Sequence, residues 1–180
     1  MDGWVKPGHD GSNRLKGSTH RDLVLAKRGV KVVFHNTLAS SDYGLLDQNT
    51  FLPRPNYWAA LLWRKLMDRI VLDAGPSRPD LHLYAQCLRG RPGGVALLAI
   101  NTSRAWTEAI ELPMSADRYT LTAPELEGHR VELNGHQLLL GNDDKLPGLE
   151  GRRAPSGRVE LAPASITFLA IAQAGNRSCR

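Results

Sequence analysis

VKVVFHNTLASSDYGLLDQNTFLPRPNYWAALLWRKLMDRIVLD, residues Val30 to Asp73, holds three successive patterns. Val30–Phe34 is rich in β-branched residues and barely alternates, as a strand covered on both faces does. From His35 to Pro55 runs a connection longer than packing alone requires, a length that is usually functional or disordered. Asn56 is then a fair N-cap for a helix predicted to reach Arg69. Trp58, Leu61, Leu62, Leu66 and Ile70 share its apolar face, which Trp63 and Met67 widen, and Arg64 and Asp68 are spaced to pair at i, i+4. Strand, loop and helix make one β/α unit of the kind that closes a barrel. A single unit cannot bury itself, so the chain reads as the C-terminal remainder of a larger enzyme.

Upstream, RDLVLAKR (Arg21–Arg28) reads as the end of a helix stopped at Gly29. Residues 1–20 are polar and Gly-rich without helical or strand period, and are expected to be disordered. They hold no apolar core resembling a signal peptide, so the expected location is cytoplasmic. No run approaches the roughly 20 apolar residues that span a bilayer, and no membrane partner is expected. The net charge of +5 comes from the ends: residues 1–30 carry six Lys and Arg against three Asp, and Arg177 and Arg180 add two more. The middle is close to neutral, which argues against a nucleic-acid partner.

After Asp73 the pattern changes. Leu81–Leu88, Val95–Asn101, Ala109–Leu112, Arg118–Ala123, Arg130–Leu133, Gln137–Leu140, Val159–Leu161 and Ile166–Ala172 are short strand-like runs between Gly, Pro, Asn and Asp. With Ile70–Leu72 they predict two packed antiparallel sheets. Asn134-Gly135 in VELNGHQLLL is the preferred pair for a type I′ hairpin turn. Residues 141–158 are too polar and Gly/Pro-rich for a strand and are expected to form an excursion. The predicted fold is mainly β: an antiparallel β-sandwich (70–174) preceded by one leftover β/α unit of a (β/α)8 barrel (21–69), with a tail at 175–180.

SDYGLLDQNTFLPRPNYW, the helix after it, VELNG, and LAPASITFLAI occur in an order and at separations that resemble glycoside hydrolase family 79. This is the family of heparanase and the microbial β-glucuronidases, and the similarity covers roughly residues 21–174. The resemblance implies a (β/α)8 barrel with an attached sandwich and retaining hydrolysis of β-glucuronides by two glutamates about 5–5.5 Å apart. In the family both glutamates precede the segment present here, so no catalytic residue is expected among these residues, and the chain alone should be inactive. Val30–Phe34 would be the eighth barrel strand and Asn56–Arg69 the eighth helix. The 36–55 loop would lie on the catalytic face, where by position Ser41 and Tyr43 match contacts to the substrate's uronic acid carboxylate; Ser41 stands where the family has a glycine. Cys87 ends a predicted strand, Cys179 follows the last one, and mammalian heparanases carry cysteines at similar places. That pair is a candidate disulfide in an exported context, since a reducing cytosol would not keep it. Family members are often secreted.

Other constellations carry less. Asp42 and Asp47 lie on a loop that would not hold a fixed carboxylate separation. The histidines show no metal-binding spacing, and neither metal nor cofactor is expected. Ser40, Ser41 and His35 lack a strand–turn–helix elbow. Asn101-Thr102-Ser103 and Asn176-Arg177-Ser178 match the glycosylation pattern. The partner expected is a glucuronide-containing glycan, once the missing barrel is supplied. The helix should expose Trp58, Leu62 and Leu66 unless it docks on the sandwich or another chain, inviting self-association. The rival reading is a stand-alone carbohydrate-binding or interaction module, which would not need a strongly apolar barrel helix.

Overall fold

The computed structural model describes Arg28 and residues 37–180 apart from 77, 126 and 127. The predicted strand Val30–Phe34, all but the last residue of the predicted helix end Arg21–Arg28, and the expected disorder of 1–20 lie outside the described residues. The described residues form one α-helix and ten strands, and every strand pairing among them is antiparallel.

Helix α1 spans Pro55–Leu66. Arg54, not Asn56, is its N-cap, and Pro55 takes the first helical position, where its missing N–H is no loss and its fixed φ is already helical. The helix stops three residues short of the predicted Arg69. Met67 is extended and opens strand β1 (Met67–Leu72), whose residues pair with β2 (Leu81–Leu88) from Met67↔Leu88 to Leu72↔Ala85. Asp68 therefore lies on a strand and accepts from the Arg69 N–H at 2.9 Å, rather than closing a helical turn with Arg64.

An eight-stranded sheet has the path β1-β2-β3-β10-β5-β6-β7, with β8 paired to β5; its further members are β3 (Val95–Asn101), β5 (Ala116–Thr122), β6 (Glu132–Leu133), β7 (His136–Gln137), β8 (Arg152–Ala154) and β10 (Ser165–Ile171). Strand β10 is central, between β3 and β5, and all seven of its residues are buried. Its two faces divide the core. Ile166, Phe168 and Ala170 pack with Tyr84, Leu98 and Leu121 against Trp58, Leu62 and Leu66 of α1. On the other side Leu169 and Ile171 pack with Leu81 and Ala99 against Leu112, Val159 and Leu161 of a two-stranded sheet, β4 (Glu108–Leu112) with β9 (Gly157–Leu161). Of the two outcomes expected for the helix face, exposure or docking, the structure has docking on the sheet: Trp58, Leu62 and Leu66 are 2%, 0% and 5% exposed. Self-association through that face loses the exposed surface it required.

Asn134 and Gly135 take φ of 52° and 83°, both positive as the type I′ turn between β6 and β7 demands. The 141–158 segment, expected to hold no strand, contains β8, which pairs Arg152, Arg153 and Ala154 with Arg118, Asp117 and Ala116. At the far end of the sheet Cys87 and Cys179 form a disulfide, 92 residues apart in sequence. Among the described residues no helix is long and apolar enough to cross a membrane.

Candidate functional site

The loop before α1 folds on itself by main-chain hydrogen bonds. The Gly44 N–H donates to Ser41 O at 3.2 Å, closing a turn that carries Asp42 and Tyr43. The Leu46 N–H donates to Leu38 O, Asp47 N–H to Leu52 O and Arg54 N–H to Leu45 O, each at 2.9 Å. Asp47 organises the second turn: its Oδ1 accepts from the Asn49 and Thr50 N–H groups at 3.0 Å and from the Thr50 hydroxyl. Those two backbone donors, with Arg54 on Oδ2 at 3.0 Å, hold the Asp47 carboxyl far below the usual carboxylate range. Its folded value is depressed, so the stability it contributes is present above the ordinary carboxylate pKa and lost as pH falls toward the folded value. An anion fixed in this way is an anchor for the loop and no proton donor.

The base of the loop is pinned from the start of α1. The buried Arg54 guanidinium reaches Asp47 and the Asp42 carbonyl, and the Asn56 amide donates to the Tyr43 and Gly44 carbonyls at 3.4 Å. Neither role was visible in the sequence, where Asn56 reads as an N-cap; the available signal was an arginine held between two prolines, Pro53 and Pro55. Gly44 is buried, and a Cβ there would lie 2.8 Å from Leu38 O and 3.2 Å from Leu46 O. Both are main-chain atoms, so Gly44→Ala forces the loop to move. The expected cost is about 1–3 kcal/mol, read as lost amide-exchange protection in residues 38–54 with the β2–β3–β10 amides unchanged. Equal protection in variant and wild type would show that the loop has room.

The structure places Ser41 and Tyr43 on the same turn. Tyr43 is 53% exposed, and the Ser41 hydroxyl is buried with no hydrogen-bond partner among the described residues. The same holds for Arg54 Nε and Asn56 Oδ1 at the start of α1. Leu38, Phe51 and Leu52 of this loop are 58%, 63% and 60% exposed. Unsatisfied buried polar atoms together with large exposed apolar side chains describe a loop shaped for contacts that the described residues do not provide. Among them no three His, Cys, Asp or Glu side chains are grouped to hold a metal.

No protein-family model matches the chain. Over 174 residues it is 31% identical to heparanase from Gallus gallus, an overlap of 87% of this chain and 33% of that protein. It is also 31% identical over 148 residues to baicalin-beta-D-glucuronidase from Scutellaria baicalensis, covering 77% of this chain and 28% of the relative. The chain belongs to the heparanase-like family, glycoside hydrolase family 79. This heparanase-like chain spans a third or less of the length of these two relatives. Among solved structures, the family 30 subfamily 8 xylanase from Clostridium acetobutylicum superposes with a TM-score of 0.50 at 15% identity, covering 96% of this chain and 42% of that one. That likeness concerns the fold alone.

Proposed function

We propose that these residues are the C-terminal part of a family 79 glycoside hydrolase, with α1 as the last barrel helix and the two sheets as the attached sandwich. The observation that carries this is the 37–56 segment, with its exposed Leu38, Tyr43, Phe51 and Leu52 and three buried polar atoms that have no partner among the described residues. A barrel rim packed on it would cover the first set and pair the second. In this reading the whole enzyme hydrolyses β-glucuronides with retention, and both catalytic glutamates come from a segment outside these 180 residues. Retention needs the two carboxyls about 5–5.5 Å apart. Ser41 and Tyr43 then contact the uronic acid carboxylate of a glucuronide-containing glycan. The Cys87–Cys179 bond favours an oxidising compartment over the cytoplasmic location inferred from the first twenty residues.

A stand-alone carbohydrate-binding module is the second reading, and the docked helix favours it, because α1 already has its apolar face covered by the sheet. It leaves the loop without a reason for its exposed apolar residues. The test is hydrolysis of a chromogenic aryl β-glucuronide by the purified chain, with and without a barrel polypeptide from a family member. The chain alone should be inactive and should raise the activity of the added barrel. Activity from the chain by itself, abolished by mutating one of its own carboxylates, would overturn this reading. So would mixing that changes nothing.

A further inference from the structure

The eight-stranded sheet carries an arrangement that stability alone does not favour. Strands β5 and β8 pair so that Arg118 stands directly opposite Arg152. Directly opposed residues of an antiparallel pair lie on one face, and like charges there are destabilising. Among the described residues neither guanidinium has a carboxylate as a hydrogen-bond partner: Arg118 Nε donates to Thr120 Oγ1 at 2.8 Å, and Arg152 Nη2 lies 2.8 Å from His136 Nε2. Burial disfavours the Arg118 charge, and Glu160 offsets this only in part.

The two arginines line a groove of about 440 Å³ between β5, β8 and β9, with Arg153 and Arg158 also on its wall. Glu160 is the one carboxylate among the lining residues. Arg153 is 3.6 Å from Asp117, and Arg158 stands opposite Glu111 across the β4–β9 pair, so both rim arginines have an acidic neighbour; of the opposed pair, Arg118 has the partial electrostatic support of Glu160, and Arg152 faces Arg118 and His136. A second cavity of about 500 Å³ shares Asn134 and Arg152 with the first, which extends the surface beyond a single small anion. No Phe, Tyr or Trp is among the residues lining either cavity, so neither offers the stacking platform that single-stranded nucleic acids use. Thr120 and Asn134 spend their side chains inside the sheet, on Arg118 Nε and Thr167 and on the Thr120 N–H and the Arg118 and Glu150 carbonyls, so the groove's affinity for anions falls to the guanidinium forks, which suit carboxylate and sulfate oxygens.

We propose that this groove binds an acidic oligosaccharide, its carboxylate or sulfate groups seated between Arg118 and Arg152 and its chain running past Arg158. The choice of a glycan over another polyanion rests on the glycosidase reading; the opposed guanidinium pair does not. Calorimetric titration of the full chain tests it with four probes: a heparin-derived hexasaccharide, a hyaluronan hexasaccharide, sodium sulfate and a thymidine decanucleotide. A hexasaccharide should saturate the chain. Arg152→Ser and Arg158→Ser, both at exposed positions, should each weaken binding about five- to tenfold. Arg91→Ser, exposed in the β2–β3 turn, should leave it unchanged. Failure of both hexasaccharides to saturate, variants that bind like the wild type, or sulfate or the decanucleotide binding as tightly would each overturn the proposal. The titration needs no barrel polypeptide, so it can fail while complementation succeeds, and the reverse.

Discussion

Reducing the Cys87–Cys179 bond, or replacing Cys179 with Ser, should lower the unfolding free energy by about 4–5 kcal/mol in the chain-entropy treatment of a closed loop. The loop is 92 residues long and encloses β3 to β10, so opening it frees most of the sheet-forming chain in the unfolded state. The folded state also loses a clamp. Both cysteines are buried, and the tail is otherwise held to the β2–β3 turn by the Asn176 N–H on Gly93 O at 2.9 Å and the Gly93 N–H on Cys179 O. For a chain of this size the shift in melting temperature should be about 10–15 °C. Urea unfolding with and without reductant measures it, and a difference under about 1 kcal/mol would show that the closed loop adds little to stability.

How much of this was legible in the sequence differs from element to element. Strands β2 and β3 begin and end where their predicted runs do: Asp80 precedes β2, Arg89 and Gly90 follow it, and Gly94 precedes β3. The central β10 was legible because a strand buried on both faces has no alternation to misread. The helix end was not legible. LMDRIVL continues the i, i+4 apolar period through Met67 and Ile70 and also makes an acceptable strand, and only the pairing with β2 decides between them. Strand β8 was missed because RRA carries one buried residue, Ala154, and its position is fixed by partners on β5 far away in sequence. The candidate site divides in the same way. Ser41 and Tyr43 could be singled out through family resemblance, whereas Arg54 and Asn56 act largely on main-chain carbonyls, which leave no trace in side-chain pattern.

Asn101→Asp should convert a pH-insensitive anchor into a pH-dependent fault. Asn101 is fully buried at the end of β3, and its Nδ2 donates to the carbonyls of Trp106, Leu161 and Ala162 at 3.0 Å while Oδ1 accepts from the Ser103 N–H at 2.9 Å. The side chain therefore ties β3 to the end of β9 and to the loop leading to β4. It matches a glycosylation acceptor, yet with its amide committed inside the fold it can carry no glycan there. A carboxylate in its place would set negative oxygen against three carbonyl oxygens without solvent, so the folded state accepts only the protonated form. The folded pKa is then raised above the unfolded value of about 3.9. Below that pH both states hold the proton, and the variant loses only the amide's second donor. Above it the unfolded state ionises and the folded state does not, so stability falls by about 1.4 kcal/mol per pH unit. The deficit relative to wild type should approach about 4 kcal/mol at pH 7, measured by urea unfolding of both proteins at pH 3, 5 and 7. A deficit that is the same at all three pH values would mean that the carboxylate has found water or a cation, and that this corner of the core is open.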